Sequence, residues 1–128
     1  MYKSILSGAF HGMESFLVQV EADISDGLPC MDMIGYLSSE VKETRERVRV
    51  GIKNSGYQLP VKRITINLSP ADVRKSGTMC DLAIAAAVLC AYGFIAQDKL
   101  NDVLLIGELS LDGSVRSVNG VLSVVLMA

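Results

Sequence analysis

Hydrophobic and polar positions alternate with a period of two at the start of the chain. In Glu14–Ser25, Phe16, Val18, Val20 and Ala22 interleave with Ser15, Leu17, Gln19 and Glu21, which predicts a half-buried strand. Tyr2–Gly12 reads as its antiparallel partner, with Gly12–Met13 as the turn. Asp26-Gly-Leu-Pro29 is a second turn signal, and the short apolar segment Cys30–Gly35 predicts a third strand. The period then changes. Val41, Val48 and Ile52 recur at helical spacing, Ser38 is a suitable N-cap, Glu40 sits in the first turn, and Gly56 supplies a stop. Lys62–Leu68 alternates again as a strand, and a helix is expected over Met79–Tyr92. Val103–Leu111 and Ser114–Val118 flank Asp112–Gly113, a hairpin signal, and the apolar tail from Gly120 begins another helix. Strands and helices in the order βββαβαββα predict an α+β fold, a mixed sheet with helices packed on one face.

Composition narrows the class. Half of the 128 residues are hydrophobic and 20% are charged, a globular balance rather than a disordered one. No basic segment precedes an apolar one at the N-terminus, so no signal peptide is read there. The longest uncharged apolar run, Leu82–Ala96, is shorter than the roughly 20 residues of a spanning helix. A cytoplasmic chain without a membrane segment is the expectation. Cys30, Cys80 and Cys90 lack metal-ligand and redox spacing, and His11 is the sole histidine, so neither a zinc site nor a histidine-based triad is expected.

Net charge is −2, but its distribution is uneven. Ser38–Lys75 carries a balance of +5 and the remainder −7. On a helix of about 100° per residue, Lys42, Arg45, Arg49 and Lys53 fall in a sector of roughly 80° beside the apolar stripe. Arg45–Arg49 and Arg49–Lys53 are like-charge pairs at i,i+4, which cost stability. Three readings fit: a solvated face, contacts to a DNA backbone, or an acidic surface on a neighbouring subunit or ATPase module. No aromatic residue interleaves with the stripe in the sequence, which argues against base stacking. Arg74 and Lys75 are added to the candidate binding set because they precede the next helix.

The stretch Arg74–Ala87, RKSGTMCDLAIAAA, places a Gly-containing turn before an apolar helix. It is not a Walker A loop, since its single Gly follows the Lys, and it is not a G-x-S-x-G elbow. SGTMCD followed by an Ala-rich helix, and then GELSLDGSVRSVNGVL, resembles the proteolytic domain of Lon proteases, with Gly107, Glu108, Leu109, Ser110, Leu111, Gly113, Val115, Val118 and Gly120 in register. The Ser–Lys dyad does not carry over: Met79 and Leu122 occupy its positions, and neither a thioether nor an alkyl chain can act as nucleophile or base. Thr78 and Cys80 are the adjacent candidates for a residual Ser/Thr-type peptidase. Asp81 is expected to compensate the helix dipole and to hydrogen-bond to the loop.

A closer resemblance covers almost the whole chain. GLPCMDMIG, VKETRERVRVGIKNSGYQLP, RITINLSPADVRKSGTMCDLAIA and LLIGELSLDGSVRSVNGV resemble the N-terminal domain of Mg-chelatase-like AAA+ proteins of the ComM/YifB type. Tyr36-Leu37-Ser38 and Ala83 depart from that pattern at two places. The resemblance implies a Lon-protease-like domain of the ribosomal protein S5 domain 2-like fold, residues 1–128 being one such domain cut short at its C-terminal end. It implies a non-catalytic accessory role in DNA engagement and ring assembly for ATP-driven DNA processing, such as branch migration in transformation. ATP and Mg2+ are then expected in a downstream ATPase module and no cofactor in this part. The implied partners are that module, sister subunits of a hexameric ring, and DNA. The alternatives are a residual peptidase or a domain that docks a protein substrate.

Overall fold

The computed structural model describes residues 2–11, 14–35, 37–71, 75 and 78–118, without the side chains of residues 10, 11, 14, 40 and 42. Its first two strands, β1 (Tyr2–His11) and β2 (Glu14–Ser25), pair antiparallel with Ile5 opposite Val20 and Ser7 opposite Val18. β3 (Cys30–Ile34) leads into helix α1 (Ser39–Asn54), and the chain returns as β4 (Arg63–Ser69) parallel to β3. β4 also pairs antiparallel with β2, giving a four-stranded mixed sheet in the order β1-β2-β4-β3.

Alternation decides which face is buried. Ile5, Ser7 and Ala9 of β1, Val18, Val20 and Ala22 of β2, and Ile64, Ile66 and Leu68 of β4 project to one side and are buried. Leu17, Gln19, Asp23, Asp32 and Ile34 project to the other and are exposed. Helix α2 (Asp81–Ala91) packs on β1 and β2, and α1 packs on α2 and the β3 end of the sheet. Both helices therefore cover the same face. Nine of the eleven α2 residues are buried, which is why its sequence has no polar side. None of the described helices is long and apolar enough to cross a membrane.

The expected elements stand where the pattern placed them, with three differences. Helix α2 starts at Asp81, because Met79 and Cys80 form the turn before it. The 103–111 run is not one strand: Leu104 makes a lone parallel bridge to Leu6, Leu105 N–H donates to the Leu6 carbonyl at 2.9 Å, and only β5 (Glu108–Leu109) pairs with β6 (Val115–Arg116). A short 3-10 turn over Gln97–Leu100 had no sequence signal. The turn expected at Gly12–Met13 and the helix expected from Gly120 lie outside the described residues.

Candidate nucleic-acid interface

Helix α1 presents two unlike sides. Val41, Thr44, Val48 and Ile52 are buried against the core, whereas Arg45, Arg49 and Lys53 are exposed. The three cations form a ridge one helical turn apart. Arg45 Nη1 lies 3.4 Å from the Met31 carbonyl, Arg49 Nη2 lies 2.8 Å from Glu46 Oε2, and Lys53 makes no ion pair among the described residues. The Arg49–Glu46 pair is exposed on both sides and contributes little net stability, so the guanidinium can exchange its partner at small cost. Lys42 belongs to the same helix, with its side chain outside the description. The other cations of the basic segment leave the ridge: Lys62 pairs with Asp26 at 2.5 Å and Arg63 with Asp32 at 3.2 Å.

The ridge cannot roll about the helix axis, because Arg47 points inward. Its Nε donates to Asp81 Oδ2 at 2.7 Å and its Nη2 to Asp81 Oδ1 at 3.2 Å. The same carboxylate, fully buried, accepts the Thr44 hydroxyl at 2.6 Å and the Leu109 N–H at 3.1 Å. One side chain at the first turn of α2 thus ties α1, α2 and β5 together. The contact to Asp81 raises the Arg47 pKa against the opposing effect of burial. The carboxylate was expected to bond to the loop before its own helix; its partners are instead Thr44 and Arg47 of α1 and the Leu109 N–H of β5. An Arg four residues after Glu43 reads as a surface pair in sequence; its tertiary partner lies 34 residues away.

The C-terminus of α1 closes in a Schellman motif. Gly56, at φ +94°, donates to the Lys53 carbonyl at 3.1 Å, and Tyr57 N–H reaches the Ile52 carbonyl at 3.4 Å. This reversal turns Tyr57 back beside the helix, where Arg49, Lys53, Gly56 and Tyr57 line an open groove of about 580 Å3. Tyr57 meets Phe94 edge to face, with ring centroids 5.2 Å apart and planes at 62°. Both rings are partly exposed, Tyr57 at 38% and Phe94 at 47%. An aromatic pair therefore adjoins the cations although no aromatic interleaves with them in sequence. The Gly-Tyr step at C′ and C″ was the available signal.

In the described part of the turn before α2, Thr78 is half-buried. Met79 is buried, and Cys80 is buried with its thiol pushed up to about 11, chiefly by burial; Ser7 and Lys75 oppose that rise and Asp81 adds to it. Lys75 departs from its expected place on the surface. It is fully buried and its ammonium donates to the Pro70 carbonyl, while its backbone carbonyl accepts Ser38 N–H at 2.9 Å. A phosphate contact would need it at the surface, so it does not join the ridge. Arg74 and Leu122 lie outside the described residues. Ser38 occupies the N-cap position, but its hydroxyl makes no cap bond.

Residues 20–128 match the family described as subunit ChlI of Mg-chelatase. The chain belongs to the Mg-chelatase-like family. It is 47% identical over 112 residues to YifB of Escherichia coli, covering 88% of this chain and 22% of that protein. It is 45% identical over 122 residues to an uncharacterised protein of Mycobacterium tuberculosis, covering 95% of this chain and 24% of that one. Similarity to the competence protein ComM of Haemophilus influenzae is 37% over 124 residues, covering 97% and 24%. The Mg-chelatase-like chain thus spans about a quarter of the length of these relatives and corresponds to their N-terminal region. Its ridge helix, its Asp81 anchor and its Tyr57 turn all lie inside the matched segment.

Proposed function

We propose that this Mg-chelatase-like domain is a non-catalytic, Lon-like module of the ribosomal protein S5 domain 2-like type that engages the DNA backbone for an ATP-driven motor. The carrying observation is the ridge of Arg45, Arg49 and Lys53, exposed on a helix whose opposite side is locked to α2 and β5. Like charges at i,i+4 oppose helix stability, and phosphate oxygens relieve that repulsion while releasing counterions. ATP and Mg2+ chemistry belongs, in this reading, to a downstream module and ring, as the family resemblance implies. The name of the relative ComM, a competence protein, accords with a DNA-handling role. The non-catalytic assignment draws support from the buried Met79 at the nucleophile position and from a neighbouring thiol held neutral by burial.

A salt titration of DNA binding by the intact protein tests this reading. Arg45→Glu with Arg49→Glu is expected to reduce the slope of log K against log salt by about 0.9 for each duplex phosphate that the ridge no longer neutralises. An unchanged slope, with the far-UV spectrum intact, assigns the ridge to a protein contact instead.

A further inference from the structure

We propose that Tyr57, backed by Phe94, is a stacking platform for an unpaired base, so that the groove beside the ridge takes single-stranded DNA. The inference rests on the DNA-backbone reading of the ridge and adds to it a specific site and strand preference. Two observations point to it. First, Arg49 and Lys53 line the same groove as Tyr57, which puts phosphate-binding cations beside an aromatic ring. Backbone cations tracking past an aromatic side chain are the arrangement by which proteins hold single strands without regard to sequence. Second, the Tyr57–Phe94 contact is edge to face, so the two rings are not closed against each other as a parallel stack, and both remain partly exposed. An exposed aromatic pair next to cations is not explained by core packing.

The geometry also accounts for how such a platform is held. The Schellman turn fixes the Tyr57 backbone relative to Ile52 and Lys53. Tyr57 also walls a smaller apolar cavity of about 120 Å3 that Leu82, Leu89 and Leu109 line. Gly56 has nothing within 4 Å of where a Cβ would stand, so the groove is open at the turn. A base in a duplex has both of its faces covered by neighbouring bases. Only an unpaired base, or one at a strand end, presents a face to this ring.

The test compares three probes on the intact protein across a series of salt concentrations: an oligothymidylate of about 15 nucleotides, an abasic deoxyribose-phosphate oligomer of equal length, and a duplex. The expected result is that the oligothymidylate binds about 5- to 20-fold tighter than the abasic oligomer. Tyr57→Leu removes that difference without changing the salt slope, and Tyr57→Phe retains it. Phe94→Leu, which leaves Tyr57 in place, weakens it in part and serves if Tyr57→Leu fails to fold. Equal binding of the base-bearing and abasic oligomers by the unmodified protein overturns the inference, as does full oligothymidylate affinity in folded Tyr57→Leu. In either case, a slope that still falls in Arg45→Glu with Arg49→Glu leaves the backbone reading standing. If that slope is unchanged as well, both readings fall and the face is a protein contact.

Discussion

At the scale of single residues, two buried groups determine behaviour that the surface does not show. Asp81 accepts four hydrogen bonds from three partners, and truncating it removes the buried carboxylate that Arg47 and the Leu109 N–H share. Asp81→Ala is expected to destabilise the domain by about 3–5 kcal/mol, read from the urea midpoint, the range found when one partner of a buried ion pair is removed. Cys80 illustrates the reverse, a group kept neutral. Its folded pKa of about 11 exceeds the ordinary value of 9.0, because burial disfavours the thiolate. Below pH 9 both folded and unfolded thiols are protonated and this group is silent. As pH rises from about 9 to 11 the unfolded thiol ionises first, so stability falls by on the order of 1–3 kcal/mol. The native protein is expected to react with a thiol reagent at exposed Cys30 and not at buried Cys80 or Cys90, with all three reacting in denaturant; rapid native labelling of Cys80 would contradict its placement. Sequence revealed Asp81 as a helix-start carboxylate but not its partners, since Thr44 and Arg47 reach it only through the packing of two helices. It also grouped Lys75 with the surface cations, because nothing local distinguishes a lysine that solvates its ammonium on a backbone carbonyl.

At the scale of elements, periodicity was a sound guide wherever one face is buried. β2 shows this best: Val18, Val20 and Ala22 are buried as the alternation requires, and a slip of one residue would bury Gln19 and Glu21 instead. The hairpin signal Asp112–Gly113 was legible too, although the loop is longer than a two-residue turn. Gly113 N–H donates to the Ser110 carbonyl at 3.0 Å, Ser110 N–H to the Ser114 carbonyl at 2.9 Å, and Gly113 holds φ +91° after the turn. The Asn54 side chain donates to the Leu111 carbonyl at 2.6 Å and so pins this loop to the end of α1. A Cβ at Gly113 would collide with Ser55 Oγ and approach the Gly51 carbonyl at 3.0 Å. Gly113→Ala is therefore expected to cost about 1–3 kcal/mol, from left-handed backbone strain and from pushing the hairpin away from the helix. Thermal unfolding measures it, and an unchanged midpoint would show that the hairpin does not bear on α1. What periodicity could not supply is the position of Tyr57 beside Arg49 and Lys53. That depends on a chain reversal at Gly56, which a helical projection of α1 alone does not contain.

At the scale of the whole molecule, the charge of −2 and the cationic ridge coexist because other cations are consumed locally, Lys62 by Asp26 and Arg63 by Asp32. Among the described residues, Arg45, Arg49 and Lys53 form one local cationic face, and salt screens contacts made by such a face strongly. The sheet has its own asymmetry. β4 lies between an antiparallel neighbour, β2, and a parallel one, β3, and both precede it in the chain. A ribosome therefore delivers the hairpin and the third strand before the strand that joins them. Until Arg63–Ser69 has emerged, β2 and β3 each carry a row of backbone donors and acceptors with no neighbour from this chain, the kind of edge that recruits foreign strands. Helix α1, made in that interval, is the crossover that carries the chain from β3 to β4, the strand that closes both edges.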